Sequence, residues 1–350
     1  MEDIQIDHLT IGSKHKPIVI AEMSANHNHS LDRALAIVDA AADCGAHAIK
    51  LQTYTADTIT IDHQGGLFTI NDSKSLWNGR NLYELYKEAY TPWEWHKPLF
   101  ERAHDRGMVA LSTPFDHTAV DFLEDLNVPA YKISSFENND IPLLKKVAST
   151  GKPVLISTGL SSISVIEEAV QILRENGASD IVLLKCTSAY PALPESANLN
   201  TIPHMAAMFD CLVGLSDHTM GIGVAIASVV LGASVIEKHF TLNRADGGVD
   251  SAFSMEPQEL KALVEGTEIA FRSLGRIQYG VQESERNSIR FKRSIYVVKD
   301  MAEGEAFSET NIRVIRPGDG LAPKYFEFII GKKAKKSLRR GEPLNWDNLL

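Results

Sequence analysis

Eight short β-branched runs, each followed by a longer amphipathic stretch, fill residues 17–240 and constrain the fold more than any other feature of the chain. The predicted strands are 17–24, 48–54, 109–115, 130–136, 153–159, 181–188, 211–218 and 234–240. Helical patterns such as 31–45, 165–177 and 222–232 stand between them, each closing on a glycine. Near-continuous apolar strands are strands buried on both faces, the condition of a parallel sheet covered by helices. Eight such units predict an α/β fold of the (β/α)8 TIM-barrel type. A doubly wound sheet uses the same alternation, but its dinucleotide fingerprint is missing: Gly221-Ile222-Gly223 is followed by Ile226 where a third glycine would stand.

Beyond about residue 285 the alternation gives way to a small module of short strands and turns, so the domains are placed at 1–280 and 281–350. The module repeats itself at an offset of 37: Lys299, Met301, Gly304, Glu305, Phe307, Asn311 and Ile312 correspond to Lys336, Leu338, Gly341, Glu342, Leu344, Asn348 and Leu349. Two similar half-units predict a compact pseudo-symmetric fold. Between them Arg316-Pro317-Gly318-Asp319-Gly320 forms a tight loop suited to mounting one exposed arginine.

Charge divides along the same boundary, 281–350 carrying 14 Lys and Arg against 10 Asp and Glu, a net +4, and the rest of the chain −14. The basic pairs Lys332-Lys333, Lys335-Lys336 and Arg339-Arg340 are interleaved with apolar residues rather than stacking aromatics, which points to a solvated face and away from nucleic acid. The longest uncharged apolar stretch, 220–236, is short of a membrane span, and the N-terminus is too polar for a signal peptide, so no membrane partner and a cytoplasmic location are expected. Cys44, Cys186 and Cys211 lie in apolar segments without C-x-x-C spacing and are read as reduced core residues.

Reactive side chains crowd the last residues of the strands: Glu22 and Ser24; Lys50 and Gln52; Lys132, Ser134, Ser135 and Glu137; Ser157; Ser188; Ser216 and His218; Glu237 and His239. Barrel enzymes carry their chemistry at this edge. His218 and His239 end consecutive strands at matched positions, close enough to share a divalent ion and leave open positions on it. Structural zinc would need four protein ligands, and no third His or Cys has suitable spacing. Lys50 and Lys132 interrupt buried runs, and an unpaired buried ammonium is costly, so an anion is expected to complete their environment. The hydroxyls of Ser135, Ser157, Ser188 and Ser216 fit a compact phosphate or carboxylate, with a Schiff-base lysine as the rival use. Glu22, Glu137 and Glu237 are the candidates for general acid–base or orienting roles. The long interruption 56–94 holds Trp77, Tyr83, Tyr86, Tyr90 and Trp93, which either build a lid or pack the helix 81–89 onto the barrel.

The segments 21–28 (AEMSANHN), 49–54 (IKLQTY), 131–137 (YKISSFE), 214–219 (GLSDHT) and 237–240 (EKHF) resemble the sialic acid synthase family. The resemblance covers essentially the whole chain and extends to a C-terminal antifreeze-like module, a SAF domain of the β-clip type, over 293–349. It implies condensation of phosphoenolpyruvate with an amino sugar to a nine-carbon nonulosonic acid for cell-surface glycans such as those of flagellin. The forms AEMSANHN, SFEN, LKCTSAYPA, SDHTMGIG and RADGGVDSAFSMEP resemble the branch that takes 2,4-diacetamido-2,4,6-trideoxy-L-altrose more than the N-acetylneuraminate or legionaminate branches. Carried over, the pattern implies that Lys50, Lys132, Ser135, Ser157 and Ser216 hold phosphoenolpyruvate and that His218 and His239 bind Mn²⁺, or Mg²⁺ or Co²⁺. Ser188 stands where the neuraminate branch has asparagine. Glu22, Gln52, Tyr190 and Asp250 match positions facing the sugar. Arg316 matches a residue that reaches from one subunit's module into its partner's barrel, which implies a domain-swapped homodimer. The rivals are a pyruvate aldolase, metal-dependent or Schiff-base, and a non-catalytic sugar-binding protein.

Overall fold

A computed structural model describes all 350 residues, which divide into two compact units, Met1–Gly275 and Arg276–Leu350. The first opens with an antiparallel hairpin, β1 (Ile4–Ile6) and β2 (Leu9–Ile11). Eight parallel strands follow: β3 (Ile18–Glu22), β4 (Ala48–Thr53), β5 (Val109–Pro114), β6 (Tyr131–Ile133), β7 (Val154–Ser157), β8 (Ile181–Cys186), β9 (Leu212–Asp217) and β10 (Val235–His239). They close into a barrel in sequence order, with β10 pairing both β9 and β3. The predicted (β/α)8 TIM barrel is therefore the observed one.

The helices are α1 (Leu31–Asp43), α2 (Ala56–Ile59), α3 (Leu82–Ala89), α4 (His96–Asp105), α5 (His117–Asp125), α6 (Ile141–Ala148), α7 (Ile163–Glu175), α8 (Thr201–Phe209), α9 (Gly223–Val230) and α10 (Pro257–Leu274). Helix starts follow from capping chemistry: Ser30, Asp116, Asp140 and Ser162 each accept a backbone N–H of the first turn they precede. The connection from β4 to α4 is lengthened by α2 and α3, and these lie over the carboxyl ends of the strands.

Alternation along each strand divides the barrel into layers. One set of residues, including Val19, Ile49, Tyr131, Leu183 and Ile236, packs outward against the helices. The other set fills the interior. Its lower layers are apolar, Ile18, Ile20, Ala48, Leu111, Leu155, Val182, Leu184 and Val235, with Ile4, Ile6 and Ile11 of the hairpin joining them. Its upper layer, in phase with the same residues, is Glu22, Lys50, Thr113, Lys132, Ser157, Cys186, Ser216 and Glu237. Gly214 is required in this interior, since a Cβ there would stand 2.4 Å from the Val235 carbonyl oxygen.

The second unit is built on β11 (Ser294–Val297) paired antiparallel with β12 (Ile312–Ile315), and carries one short helix, α11 (Phe326–Ile329). Ile295, Met301, Phe307, Ile312, Leu338 and Leu344 form its core. The repeat at offset 37 appears as reciprocal hydrogen bonding. Met301 and Leu338 exchange backbone bonds of 2.8 and 3.0 Å, and Gly304 N donates to the Ala334 carbonyl as Gly341 N donates to that of Val297, both at 2.8 Å. Within this unit the 316–320 loop is braced by Ser294, whose hydroxyl donates to the Pro317 carbonyl at 2.7 Å and accepts from Gly320 N at 2.9 Å. Arg316 on that loop is exposed.

Candidate active site

Two connected spaces open at the carboxyl ends of the strands. The inner one, about 60 Å³, is lined by Glu22, Lys50, Lys132, Ser135, Ser157, Ser216, His218, Glu237 and His239, together with Thr113 and Cys186. The outer one, about 480 Å³, is lined by Tyr54, Trp77, Tyr86, Val249, Asp250 and Glu137 among others. Gln52, Phe115, Ser134, Phe136, Tyr190 and His239 line both.

Four ionisable groups from β3, β4, β6 and β10 meet in the inner cavity. Lys50 Nζ pairs closely with Glu22, lies 3.9 Å from Glu237 Oε1 and donates to Thr113 Oγ1 at 3.1 Å; Lys132 Nζ is 3.6 Å from the same Glu237 oxygen. An anion is expected beside lysines set in apolar runs, and part of that negative charge comes from the protein itself, from carboxylates on other strands. Burial lifts the Glu22 carboxyl to about 7, only partly opposed by Lys50. Burial also disfavours charge on Glu237, but Lys132 and Lys50 outweigh it and hold that carboxyl below its ordinary range. Burial lowers the Lys132 ammonium, while for Lys50 the pull of Glu22 and Glu237 overcomes burial and raises it. Two ammonium groups therefore face one firmly ionised carboxylate and a second poised near neutrality, an environment with room for added negative charge.

Buried polar atoms without partners mark where a ligand would bind. Ser157 Oγ, Glu237 Oε2 and His239 Nδ1 are buried and bond to nothing, and all belong to residues lining the inner cavity. Ser135 Oγ, beside them, accepts from Gly159 N at 3.0 Å. Gly159 is needed for this approach, since a Cβ would lie 2.3 Å from Ser188 Oγ and 2.7 Å from Ser135 Oγ. Ser188 is not among the residues lining the inner cavity, but its Oγ lies 3.8 Å from Sγ of Cys186, which is.

The imidazoles of His218 and His239 face each other with ring centroids 5.4 Å apart. His218 Nδ1–H donates to the Thr187 carbonyl at 3.1 Å, which leaves Nε2 as the nitrogen available to a ligand. Burial pushes His239 well below the ordinary imidazole range, so that ring is neutral. His239 is thus a neutral donor with an orphaned nitrogen. Burial opposes charge on His218, but its contacts with Cys186 and the Thr187 carbonyl outweigh burial and raise that ring, which becomes a second donor on losing its proton; together the two fit a divalent cation. No group of three His, Cys, Asp or Glu side chains assembles to hold a metal, so most coordination positions would fall to water or substrate. Cys186, read from the sequence as a core residue, also touches the site at 3.8 Å from His218 Nδ1. Burial raises its thiol, but the contact with His218 more than offsets this and brings it down to about 7.

The outer cleft is apolar and aromatic on one side and polar on the other. Of the five aromatics in the long interruption, Trp77 and Tyr86 line it, and Trp77 Nε1 donates to the Val249 carbonyl at 3.0 Å, tying two loops together. Tyr83 donates to Asp57, Tyr90 packs on His29, and Trp93 packs on Phe122. On the polar side Asp250 is buried, accepts a close bond from Ser24 Oγ, and is raised by burial. Ser24 holds a left-handed φ of 46°, and strain of this kind in a non-glycine residue is characteristic of functional sites. Glu137 accepts a close bond from Ser134, and burial raises it also. Tyr190 packs at 4.5 Å on His218 and 5.8 Å on Trp77, bridging the two spaces. Thr113 and Cys186 escape a reading of the sequence for site residues, although their phase along β5 and β8 gives them away.

The fold and the site define a TIM-barrel protein of enzymatic type, with an anion-compatible inner cavity, an imidazole pair and a wider cleft for a second compound. Residues 37–279 match the NeuB family and residues 292–350 match the SAF domain, and the chain belongs to the NeuB family, the sialic acid synthase family that its motifs resemble. It is 42% identical to pseudaminic acid synthase of Helicobacter pylori over 334 residues, 95% of this chain and 98% of that one. It is 41% identical to pseudaminic acid synthase of Campylobacter jejuni over 94% of this chain and 95% of the relative. Among solved structures, the N-acetylneuraminic acid synthetase of Leptospira borgpetersenii superposes with a TM-score of 0.72 at 32% identity, covering 82% of this chain and 95% of that one.

Proposed function

We propose that the chain is a pseudaminic acid synthase, condensing phosphoenolpyruvate and water with 2,4-diacetamido-2,4,6-trideoxy-L-altrose to give pseudaminic acid and phosphate. One observation carries the reaction class: two buried lysines and an unpartnered serine hydroxyl line a small cavity that opens, past an imidazole pair, on a cleft of sugar size. The sugar is taken from the near-full-length relatives that bear that name.

In this reading Lys50, Lys132, Ser135, Ser157 and Ser216 bind the phosphate and carboxylate of phosphoenolpyruvate, with Ser188 behind them. The C3 carbon then attacks the aldehyde of the open-chain sugar, forming the new carbon–carbon bond. Water adds at C2, and the tetrahedral intermediate loses phosphate with cleavage of the C–O bond. Lys50 and Lys132 stabilise charge on the departing phosphate. Glu22, lifted to about 7, is suited to take a proton from the incoming water, and Glu237 holds both lysines in place. Glu137, Gln52, Tyr190 and Asp250 bind and orient sugar hydroxyl and amide groups. Trp77 and Tyr86 offer apolar surface to acetamido and C6 methyl groups. His218 and His239 would hold a divalent ion, Mn²⁺ or Mg²⁺ or Co²⁺, and such an ion supplies Lewis acidity to a carbonyl oxygen. The protein acts in the cytoplasm, and no helix is long and apolar enough to cross a membrane. It works as a domain-swapped homodimer in which Arg316 of one subunit serves its partner's site.

The test offers phosphoenolpyruvate, Mn²⁺ and a panel of N-acetylated sugars, and identifies the product by mass and NMR. Oxygen-18 in the bridging position of phosphoenolpyruvate should emerge in phosphate. Preference for N-acetylmannosamine would overturn the branch, and borohydride trapping of a pyruvate adduct would overturn the reaction class.

A further inference from the structure

Asp217 and Lys238 belong to neither space. Ser216, His218, Glu237 and His239 face the barrel interior, so the residues between them point outward beneath the helices. There Asp217 and Lys238 are direct cross-strand partners of β9 and β10, only 5% and 2% exposed. Lys238 Nζ donates to Asp217 Oδ2 at 2.8 Å and to the Thr219 carbonyl at 2.7 Å. Thr219 in turn donates to Asp217 through its N–H at 3.0 Å and its hydroxyl at 3.1 Å. This knot joins the residue before His218, the residue after it and the residue before His239. A fully buried ion pair is costly to desolvate, and an apolar pair of similar volume packs at least as well, so burial alone does not account for its presence. It stands where two strands must be fixed in register for two rings to meet.

We propose that the Asp217–Lys238–Thr219 knot is a positioning device that sets the separation and orientation of the His218 and His239 rings, and through them the affinity of the site for a divalent cation. This rests on the reading that the two imidazoles hold one cation together. Neither charged group touches substrate; both act through the backbone that carries the histidines.

The experiment titrates Mn²⁺ alone into the full-length protein without substrates, followed by electron paramagnetic resonance, and pairs this with thermal melting and the KM for phosphoenolpyruvate. The double variant Asp217→Leu/Lys238→Met removes both charges at similar volume, and Lys238→Arg keeps the charge. The double variant should melt as the parent does and keep its KM for phosphoenolpyruvate, while binding Mn²⁺ about tenfold or more weakly. Lys238→Arg should lie closer to the parent. Parental Mn²⁺ affinity in the double variant would overturn the proposal. So would loss of its fold, which would make the pair structural. Undiminished Mn²⁺ binding by His218→Ala would instead overturn the two-imidazole reading on which the proposal stands.

Discussion

Around the inner cavity Glu22, Lys50, Lys132 and Glu237 come from four barrel strands and meet through contacts of 3.9 Å or less, whereas the outer cleft takes Trp77, Tyr86, Val249 and Asp250 from loops and from a helix inserted between strands. Strands of a closed barrel hold their side chains in a fixed layer, so groups that must meet at ångström tolerance belong there. Loops tolerate substitution without disturbing that layer, and a surface that selects among related sugars belongs on them. The comparison predicts that inner substitutions reduce turnover and that outer ones change sugar recognition.

The largest effect is expected from Lys132→Met, which removes one cation and leaves Glu237 facing Lys50 alone. The value of kcat/KM for phosphoenolpyruvate should fall about a thousandfold, as measured by phosphate release. Sugar affinity, followed by the fluorescence of Trp77, should stay within a few-fold. A comparable loss in sugar affinity would break the division between the two spaces.

Glu22→Gln comes next, with a loss of roughly a hundredfold in kcat. The Glu22 carboxyl titrates near 7, so a base acting there gains activity as pH rises through neutrality, and this limb should vanish in the variant. Stability gives a second readout with a definite sign. Between the ordinary value of 4.5 and the folded value of about 7, the folded state holds a proton that the unfolded chain has released. Stability from this group is complete below 4.5 and is lost as pH rises through 7, a change on the order of 3 kcal/mol. Thermal melts across that window should decline more steeply for the parent than for Glu22→Gln.

The inner cavity is far more legible in the sequence than the outer cleft, for a physical reason. A lysine or histidine inside an apolar run breaks a pattern that burial imposes, so Lys50, Lys132, His218 and His239 stand out from their neighbours along the chain. Cys186 breaks no pattern, being a small apolar-compatible residue in phase with Val182 and Leu184, and only the layer it completes shows its place. The pairing of Glu22 with Lys50 is equally hidden, because strand register decides it and single-strand spacing does not. In the cleft, five aromatics in one long connection give a composition without a direction. Tyr90 and Trp93 pack against the scaffold, Tyr83 bonds Asp57 within the same connection, and Trp77 and Tyr86 face the opening.

Trp77→Ala should raise the KM for the sugar roughly tenfold while leaving that for phosphoenolpyruvate unchanged. The side chain lines the cleft, packs on Tyr190 and holds Val249, so its removal both exposes apolar sugar groups and frees the loop that carries Asp250. If phosphoenolpyruvate binding changed equally, the cleft and the cavity would be one site rather than two.

The smallest effect is expected at the boundary between them, in Ser188→Ala. The sequence groups Ser188 with the anion-binding serines; here its hydroxyl lies beside Cys186, at the edge of the inner cavity rather than among the residues lining it. Removing that oxygen takes away no cation and leaves Ser135 bonded to Gly159 as before. It also relaxes the space in which Gly159 is the only tolerated residue. The KM for phosphoenolpyruvate should therefore rise no more than about threefold, less than the cost of a hydrogen bond to a charged ligand. A rise of tenfold or more would mean that Ser188 rotates inward when phosphate arrives, extending the inner cavity beyond the single strand layer that now bounds it.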